Sequence, residues 1–234
     1  MKVKIRAPFF ETSVKNYIYG EAVLAYAKAA NAAAKEYDVD VLFVAPYTEI
    51  RRVRENTDRL IVLAPHMDAI KPGRGIADIL PEALKAAGAQ GVVLNHCERP
   101  ITLNLLRKTI DRANELELLT FVCADSIAEA RALAQLRPDI LNPEPNELIG
   151  SGKASDMGYV KEVIRAVKSI NPSILVEQAA GITNAQQVYD FIMAGSEAAG
   201  SASGILTSAN PYALLNEMVR SVKRAREDLA KQNG

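Results

Sequence analysis

Short β-branched or apolar runs recur along the whole chain, each followed by a segment with helical periodicity. This alternation constrains the fold more than any other feature. Eight such runs are legible, at positions 3–8, 39–44, 60–64, 91–94, 118–123, 139–141, 174–177 and 198–202. Helical patterns lie between them at 21–37, 81–87, 104–116, 126–135, 158–170, 185–193 and 212–229. Ser126 is an expected N-cap, with Glu129 as the returning carboxylate of a capping box, and Gly88 is an expected helix stop. Strands this short, separated by helices, need crossover connections, and crossovers make a parallel sheet covered by helices. Eight units in 234 residues fit an α/β fold of the (β/α)8 barrel type, with 1–234 as a single domain. A doubly wound open sheet is the alternative, but it usually uses fewer strands and often a Gly-rich first turn, which this chain lacks.

Composition removes several functional classes. With 28 basic and 28 acidic side chains the formal net charge is zero, so there is no global positive field to attract nucleic acid. The short basic clusters, Arg51-Arg52-Val53-Arg54 and Lys223-Arg224-Ala225-Arg226, are offset by Glu49, Glu55, Glu227 and Asp228 and read as solvated helix faces. No apolar run approaches the roughly 18 residues of a membrane span, and the N-terminus lacks a signal-peptide core, so a cytoplasmic protein with no membrane partner is expected. Two cysteines and two histidines are too few for a disulfide framework or a structural zinc site, and no metal is expected.

In a barrel of this kind chemistry sits in the loops after the strands. Asn95-His96-Cys97-Glu98 directly follows the fourth run, with Pro100 near where a helix could begin. A helix N-terminus there would disfavour the protonated imidazole and leave a neutral donor. A lone histidine in such a place is also a common packing residue. Glu144 to Lys153 follows the sixth run and puts a carboxylate at the strand end, then Gly150-Ser151-Gly152. Glycines there can turn backbone N–H groups toward an anion or hinge a lid. The same segment also reads as a surface loop with solvated acids. Ala180-Gly181-Ile182 and Ala202-Ser203-Gly204 close the seventh and eighth units, where barrels often hold phosphate on backbone amides, though small residues also serve plain tight turns.

Together these four ordered segments resemble the triosephosphate isomerase family, nearest its short archaeal-type branch. Asn95-His96-Cys97-Glu98 is similar to the family's Asn-His-Ser-Glu. Glu144 to Lys153 resembles the Glu-Pro-x-x-x-Ile-Gly-Thr-Gly-Lys lid, with serine for threonine and Glu-Leu-Ile-Gly in the archaeal spelling. Ala180-Gly181-Ile182 resembles Gly-Ala-Gly-Ile, and Ala202-Ser203-Gly204 resembles Ala-Ser-Gly. The agreement runs from about His66 to the end.

The resemblance implies a TIM barrel and a cofactor-free isomerase that moves a proton through an enediolate. Glu144 would be the general base and His96 the neutral electrophile. Lys15 would stabilise the oxyanion and the phosphate, and Asn95 and Glu98 would support them. Gly150, Gly181, Ile182, Ser203 and Gly204 would bind the phosphate of a small phosphorylated sugar. It also implies assembly as a homodimer or homotetramer, in which the loop 65–78 packs against a partner subunit. Departures stand beside the matches. Ala7 to Glu11 stands where the family's Asn-x-Lys would follow the first strand, so Lys15 in Lys15-Asn16-Tyr17 aligns only with an insertion. Pro65 replaces a glutamine, Ile76-Ala77 a Thr-Gly, Cys97 a serine, and Gln178 a frequent cysteine, while Asn142-Pro143 precede Glu144 where a small apolar residue is usual. Phe9 and Phe10 are candidates to reshape the pocket, which leaves open another small sugar phosphate as substrate, or a non-catalytic phosphate-binding barrel.

Overall fold

In the computed structural model, which describes residues 1–232, the alternation closes on itself. Eight parallel strands pair in sequence order, the last with the first: β1 (Phe9–Ser13), β2 (Val41–Val44), β3 (Leu60–Ala64), β4 (Gly91–Leu94), β5 (Leu119–Ala124), β6 (Ile140–Pro143), β7 (Leu175–Gln178) and β8 (Ala198–Gly200). The covering helices are α1 (Glu21–Tyr37), α2 (Ile50–Asn56), α3 (Pro81–Ala86), α4 (Leu103–Glu115), α5 (Ile127–Ala134), α6 (Met157–Lys168), α7 (Ala185–Met193), α8 (Ser203–Leu206) and α9 (Pro211–Gln232). Among the described residues no helix is long and apolar enough to cross a membrane.

The period-two alternation of each strand divides the core into two layers. Phe9, Leu42, Ile61, Leu63, Leu119, Phe121 and Ile140 point into the barrel and fill it. Phe10, Val41, Phe43, Val62, Val92, Val122 and Val176 point outward onto the helices. α1 meets that outer layer with Val23, Ala27, Ala30 and Ala34, whose three- and four-residue spacing makes one small-residue stripe. Caps fix where helices begin: the Ser126 hydroxyl accepts from the N–H of Glu129, and Asn184 and Gln187 form a reciprocal capping box on α7.

Three expectations are corrected. The first strand is not 3–8 but Phe9–Ser13, entered through a cis Ala7–Pro8 peptide. Val3 and Ile5 alternate like a strand yet pack against the base of the inner cluster, while Arg6 is tied to Asp38 and Asp40. Phe9 and Phe10 are fully buried in the two core layers and do not line the pocket. Glu129 does not return to Ser126; its carboxylate accepts from Asp125 N–H and from the Asn95 amide, so the box is half formed. Sequence periodicity also passes over α2, which buries only Ile50 and Val53 and is otherwise polar and charged, and the single turn of α8.

The barrel's register places function. Glu11 is level with Leu42 of β2 and Gly200 of β8, and Ser13 is two residues further up the same inward face. With β1 ending at Ser13, Lys15 stands directly after the strand, and no insertion is needed to bring it to the mouth.

Candidate active site

The strands' carboxyl ends open on a cavity of about 430 Å³ lined by residues from all eight units, among them Lys15, His96, Glu144, Gly150, Gly181, Ile182 and Ser203. Residues expected from the sequence and scattered over nearly 190 positions therefore share one wall.

Lys15 is held in the left-handed region, φ 42°, a conformation a non-glycine residue adopts only when its surroundings impose it. Its Nζ donates to Glu98 Oε1 at 2.9 Å. The ammonium is kept charged by Glu98 and by the more distant Glu144, against a burial effect that acts the other way.

His96 accepts the backbone N–H of Glu98 at Nδ1, 3.1 Å away. That bond leaves Nε2 to carry the ring proton, so the neutral imidazole is a donor toward the cavity. Burial, and then the charge of Lys15, push its pKa down, with Glu98 opposing. The expected helix N-terminus is not the cause, because α4 begins only at Leu103 with Thr102 as its cap.

Asn95, also at positive φ (58°), braces the turn: its amide donates to Cys123 O and Glu129 Oε1, both at 3.1 Å, and its Oδ1 accepts from Ile101 N–H. Glu129 is thus part of the support for His96, a role that its capping pattern conceals in the sequence. Cys97 lies 3.7 Å from His96 Nδ1, and burial raises its thiol pKa, so it is no thiolate nucleophile.

Glu144 follows β6, its N–H fixed to Ala124 O at 2.7 Å. It is only 8% exposed, and burial pushes its pKa up to about 7, opposed by Lys15 and by the Asn142 amide beside it. A carboxylate poised there is a strong enough base to take a proton from carbon and still ionised enough to act near neutrality. Beyond it, residues Asn146–Leu148 form one 3₁₀ turn, and Gly150 and Gly152 both sit at φ 72°.

The seventh and eighth loops touch backbone to backbone. A Cβ on Gly181 would overlap the Lys153 carbonyl, and one on Gly204 would overlap the Ile182 carbonyl. Ser201 Oγ ties the two loops by donating to Ile182 O at 2.8 Å. Among the described residues the N–H of Ile182 is used within its own turn, on Ala179 O. Those of Gly150, Gly181, Ser203 and Gly204 find no backbone acceptor outside the helices and strands. Such an arc of amides is what an anionic group needs. Because Gly181 combines φ 70° with the Lys153 contact, Gly181→Ala will destabilise the fold by about 3 kcal/mol. We expect its melting temperature to drop by at least about 5 °C in a thermal scan; an unshifted melt would show that loops seven and six are not coupled there.

Sequence reasoning does not single out Glu11. It lines the same cavity beside Ser13 and Asn142, carried in by a strand whose polar residues read as a loop in the sequence. An acid two residues after Phe9, on the same face of an alternating run, is the available signal.

The chain is similar to known proteins along most of its length. The triosephosphate isomerase family model matches residues 9–187. The chain is 34% identical over 209 residues to the triosephosphate isomerase of Sulfurisphaera tokodaii, covering 88% of this chain and 91% of that one. It is 35% identical over 218 residues to that of Methanoculleus marisnigri, covering 91% and 98%. The crystal structure of triosephosphate isomerase from Bartonella henselae superposes with a TM-score of 0.72 at 16% identity, over 92% of this chain and 98% of that one, a likeness of fold. With a matching family model over most of its length and relatives of this similarity, the chain belongs to the triosephosphate isomerase family.

Proposed function

We propose that the protein interconverts glyceraldehyde 3-phosphate and dihydroxyacetone phosphate without a cofactor. The observation that carries this reading is the convergence of Glu144, neutral His96 and Lys15 on one cavity also lined by Gly150, Gly181 and Ser203, whose N–H groups have no backbone acceptor in the surrounding loops. Aldose–ketose exchange through an enediolate needs one base, one electrophile and one charge sink, and these three groups supply them.

The phosphate sits on the N–H groups of Gly150, Gly181, Ser203 and Gly204, with Ile182 holding the seventh loop against the eighth through its carbonyl. Glu144 removes the proton from the carbon beside the carbonyl and returns it to the neighbouring carbon. His96 donates from Nε2 to the carbonyl oxygen and passes a proton between the two oxygens of the enediolate. Lys15 offsets the negative charge that grows there, and Glu98 and Asn95 hold Lys15 and His96 in place. Movement of the segment around Gly150 and Gly152 closes the cavity, which keeps water from the enediolate while it waits for its proton.

Assembly as a homo-oligomer through the loop after β3 is part of the same reading. Ile76 at its tip is 97% exposed, and Tyr19 and Tyr47 stand exposed on neighbouring loops, an apolar set that a second copy would cover. Light scattering after size exclusion tests this, a monomer counting against it. For the activity, we expect steady-state turnover of glyceraldehyde 3-phosphate with kcat/KM above about 10⁴ M⁻¹s⁻¹. Trace rates equal to those of a matched preparation lacking the protein would overturn the assignment.

A further inference from the structure

The floor of the cavity holds an acid that the three-group mechanism does not use. Glu11 points inward from β1, two residues below Ser13 and four below Lys15, and lines the cavity together with Asn142 and Cys123. Across β8 it meets Glu177 of β7. The position a Cβ would take on Gly200 is overlapped by Oε1 of Glu177 and lies 2.6 Å from Oε2 of Glu11, so the two carboxyl groups are neighbours over a glycine that leaves them room. Glu177 is fully buried, and neither of its oxygens has a hydrogen-bond partner among the described residues. Asn142 Oδ1, buried in the same layer, is also unpartnered.

The charges facing Glu11 decide its state. Glu144 faces it from the end of β6 and Glu177 from β7, and Cys123 of β5 is a buried thiol. Lys15 at the end of β1 is the opposing cation, and it is already paired with Glu98; His96, from the loop after β4, is neutral. On the outer side of β1, Tyr26 of α1 is a phenol kept protonated by burial. Three buried carboxylates and one shared ammonium cannot all be ionised at neutral pH. Burial, with Glu144 adding to it, pushes Glu11 up to about 8, and burial with Glu11 pushes Glu177 well above the ordinary range.

Resting on the activity proposed above, we infer that Glu11 is protonated in the working protein and donates a hydrogen bond from its carboxylic acid to the oxygen-bearing end of the phosphorylated substrate. The phosphate is anchored at the rim, so the carbonyl and hydroxyl oxygens point to the floor, where an enediolate presents two oxygens. His96 passes its proton between these two oxygens, and Glu11 donates to one of them from the floor. A neutral acid can do this where a carboxylate would repel a dianionic ligand, and a protonated Glu177 completes the pair by donating to the remaining oxygen of Glu11. On β1 the inward residue above it, Ser13, has too short a side chain to take this place.

Three variants and one spectrum test the inference. Wild-type kcat/KM will fall on the alkaline side with a limb near pH 8, as the acid is lost. Glu11→Gln keeps a donor that does not titrate, so it will hold kcat within about fivefold at pH 7 and lose the alkaline limb. Glu11→Leu keeps the volume without the donor and will lose about 10²-fold in kcat with a KM change of less than about threefold. Glu177→Gln keeps a neutral donor beside Glu11 and will leave the alkaline limb in place; a limb lost in this variant would assign the titration to Glu177 and overturn the inference. Wild-type kcat in Glu11→Leu, or an unchanged limb in Glu11→Gln, overturns the inference. Infrared spectra at pH 7 supply a readout independent of turnover and of how well Glu11→Leu folds. A carboxylic acid C=O band that disappears in Glu11→Gln and shifts when dihydroxyacetone phosphate binds supports the inference, and its absence or indifference to that ligand refutes it. If the wild-type chain turns over no triose phosphate, the activity fails and the spectrum still decides the state and contact of Glu11.

Discussion

Replacing Glu144 with glutamine will lower kcat for glyceraldehyde 3-phosphate by about 10³-fold or more, at least about 4 kcal/mol of transition-state stabilisation. The amide has nearly the shape of the acid and fits the same pocket beside Asn142, so the fold and the phosphate arc stay as they are. KM will move by less than about threefold, the pattern of an interaction made only in the transition state. Glutamine also removes a buried group whose ionisation burial opposes, so the melting temperature will not fall. A variant that keeps a tenth of wild-type kcat, measured on matched preparations, would remove Glu144 from the role of base.

The same residue sets the acid side of the pH profile. Its pKa is raised to about 7, and the base acts only when ionised. kcat/KM therefore rises with pH up to about 7 and falls tenfold per unit below it, far above where an ordinary carboxylate would titrate. Combined with an alkaline limb from Glu11, the profile is a narrow bell. Because Glu144 bears on the ionisation of both Glu11 and Glu177, its limbs belong to the carboxyl cluster as well as to single residues.

How much of the molecule is legible in its sequence follows from what each residue answers to. α1 and α7 can be delimited from the sequence because their boundaries are set by local chemistry: the alanine-rich stripe of one, the cap at Asn184 of the other. Strands β2 to β5 are legible because both their faces are buried and every residue is apolar or nearly so. β1 is misplaced by the sequence pattern for the opposite reason. Its inward face is Phe9, Glu11 and Ser13, so two of three positions serve the cavity instead of the core, and a pattern of polar residues reads as a loop. Val3 and Ile5 meanwhile give a cleaner alternation while merely plugging the barrel's base. The misplaced strand in turn displaces Lys15, which needs an insertion only if the strand ends at Pro8. Glu129 misleads in a related way: the capping pattern is real on the hydroxyl side, but tertiary contact with Asn95 takes the carboxylate. Local rules fail where side chains are committed to the site, which is where such failures are expected. The contacts between Gly181 and Lys153, and between Gly204 and Ile182, join segments distant in sequence and are visible only in three dimensions.

Lys15→Met will cost about 10²- to 10³-fold in kcat/KM at pH 7.5 and will also shift the pH profile, a combination that separates charge from shape. Methionine keeps the length and apolar stem of lysine, so packing changes little. Glu98, its partner, is 61% exposed at the side chain and returns to solvent, so we expect the melting temperature to stay within about 3 °C of wild type. The electrostatic consequences are larger. Lys15 holds down the pKa of both Glu11 and Glu144, and it helps hold His96 neutral. Without it Glu144 is protonated at higher pH, so the acid limb moves up from about 7, and His96 becomes easier to protonate. KM for the phosphorylated substrate will rise, because a cation near the anion is lost, while kcat falls because the growing charge on oxygen has lost its counter-charge. Lys15→Arg restores the charge but not the compact donor, and the planar fork cannot keep both the Glu98 contact and the same approach to the substrate, so it recovers the pH profile more fully than the rate. A Lys15→Met variant with an unmoved acid limb would show that Lys15 is too far from Glu144 to act on it, whatever its effect on kcat.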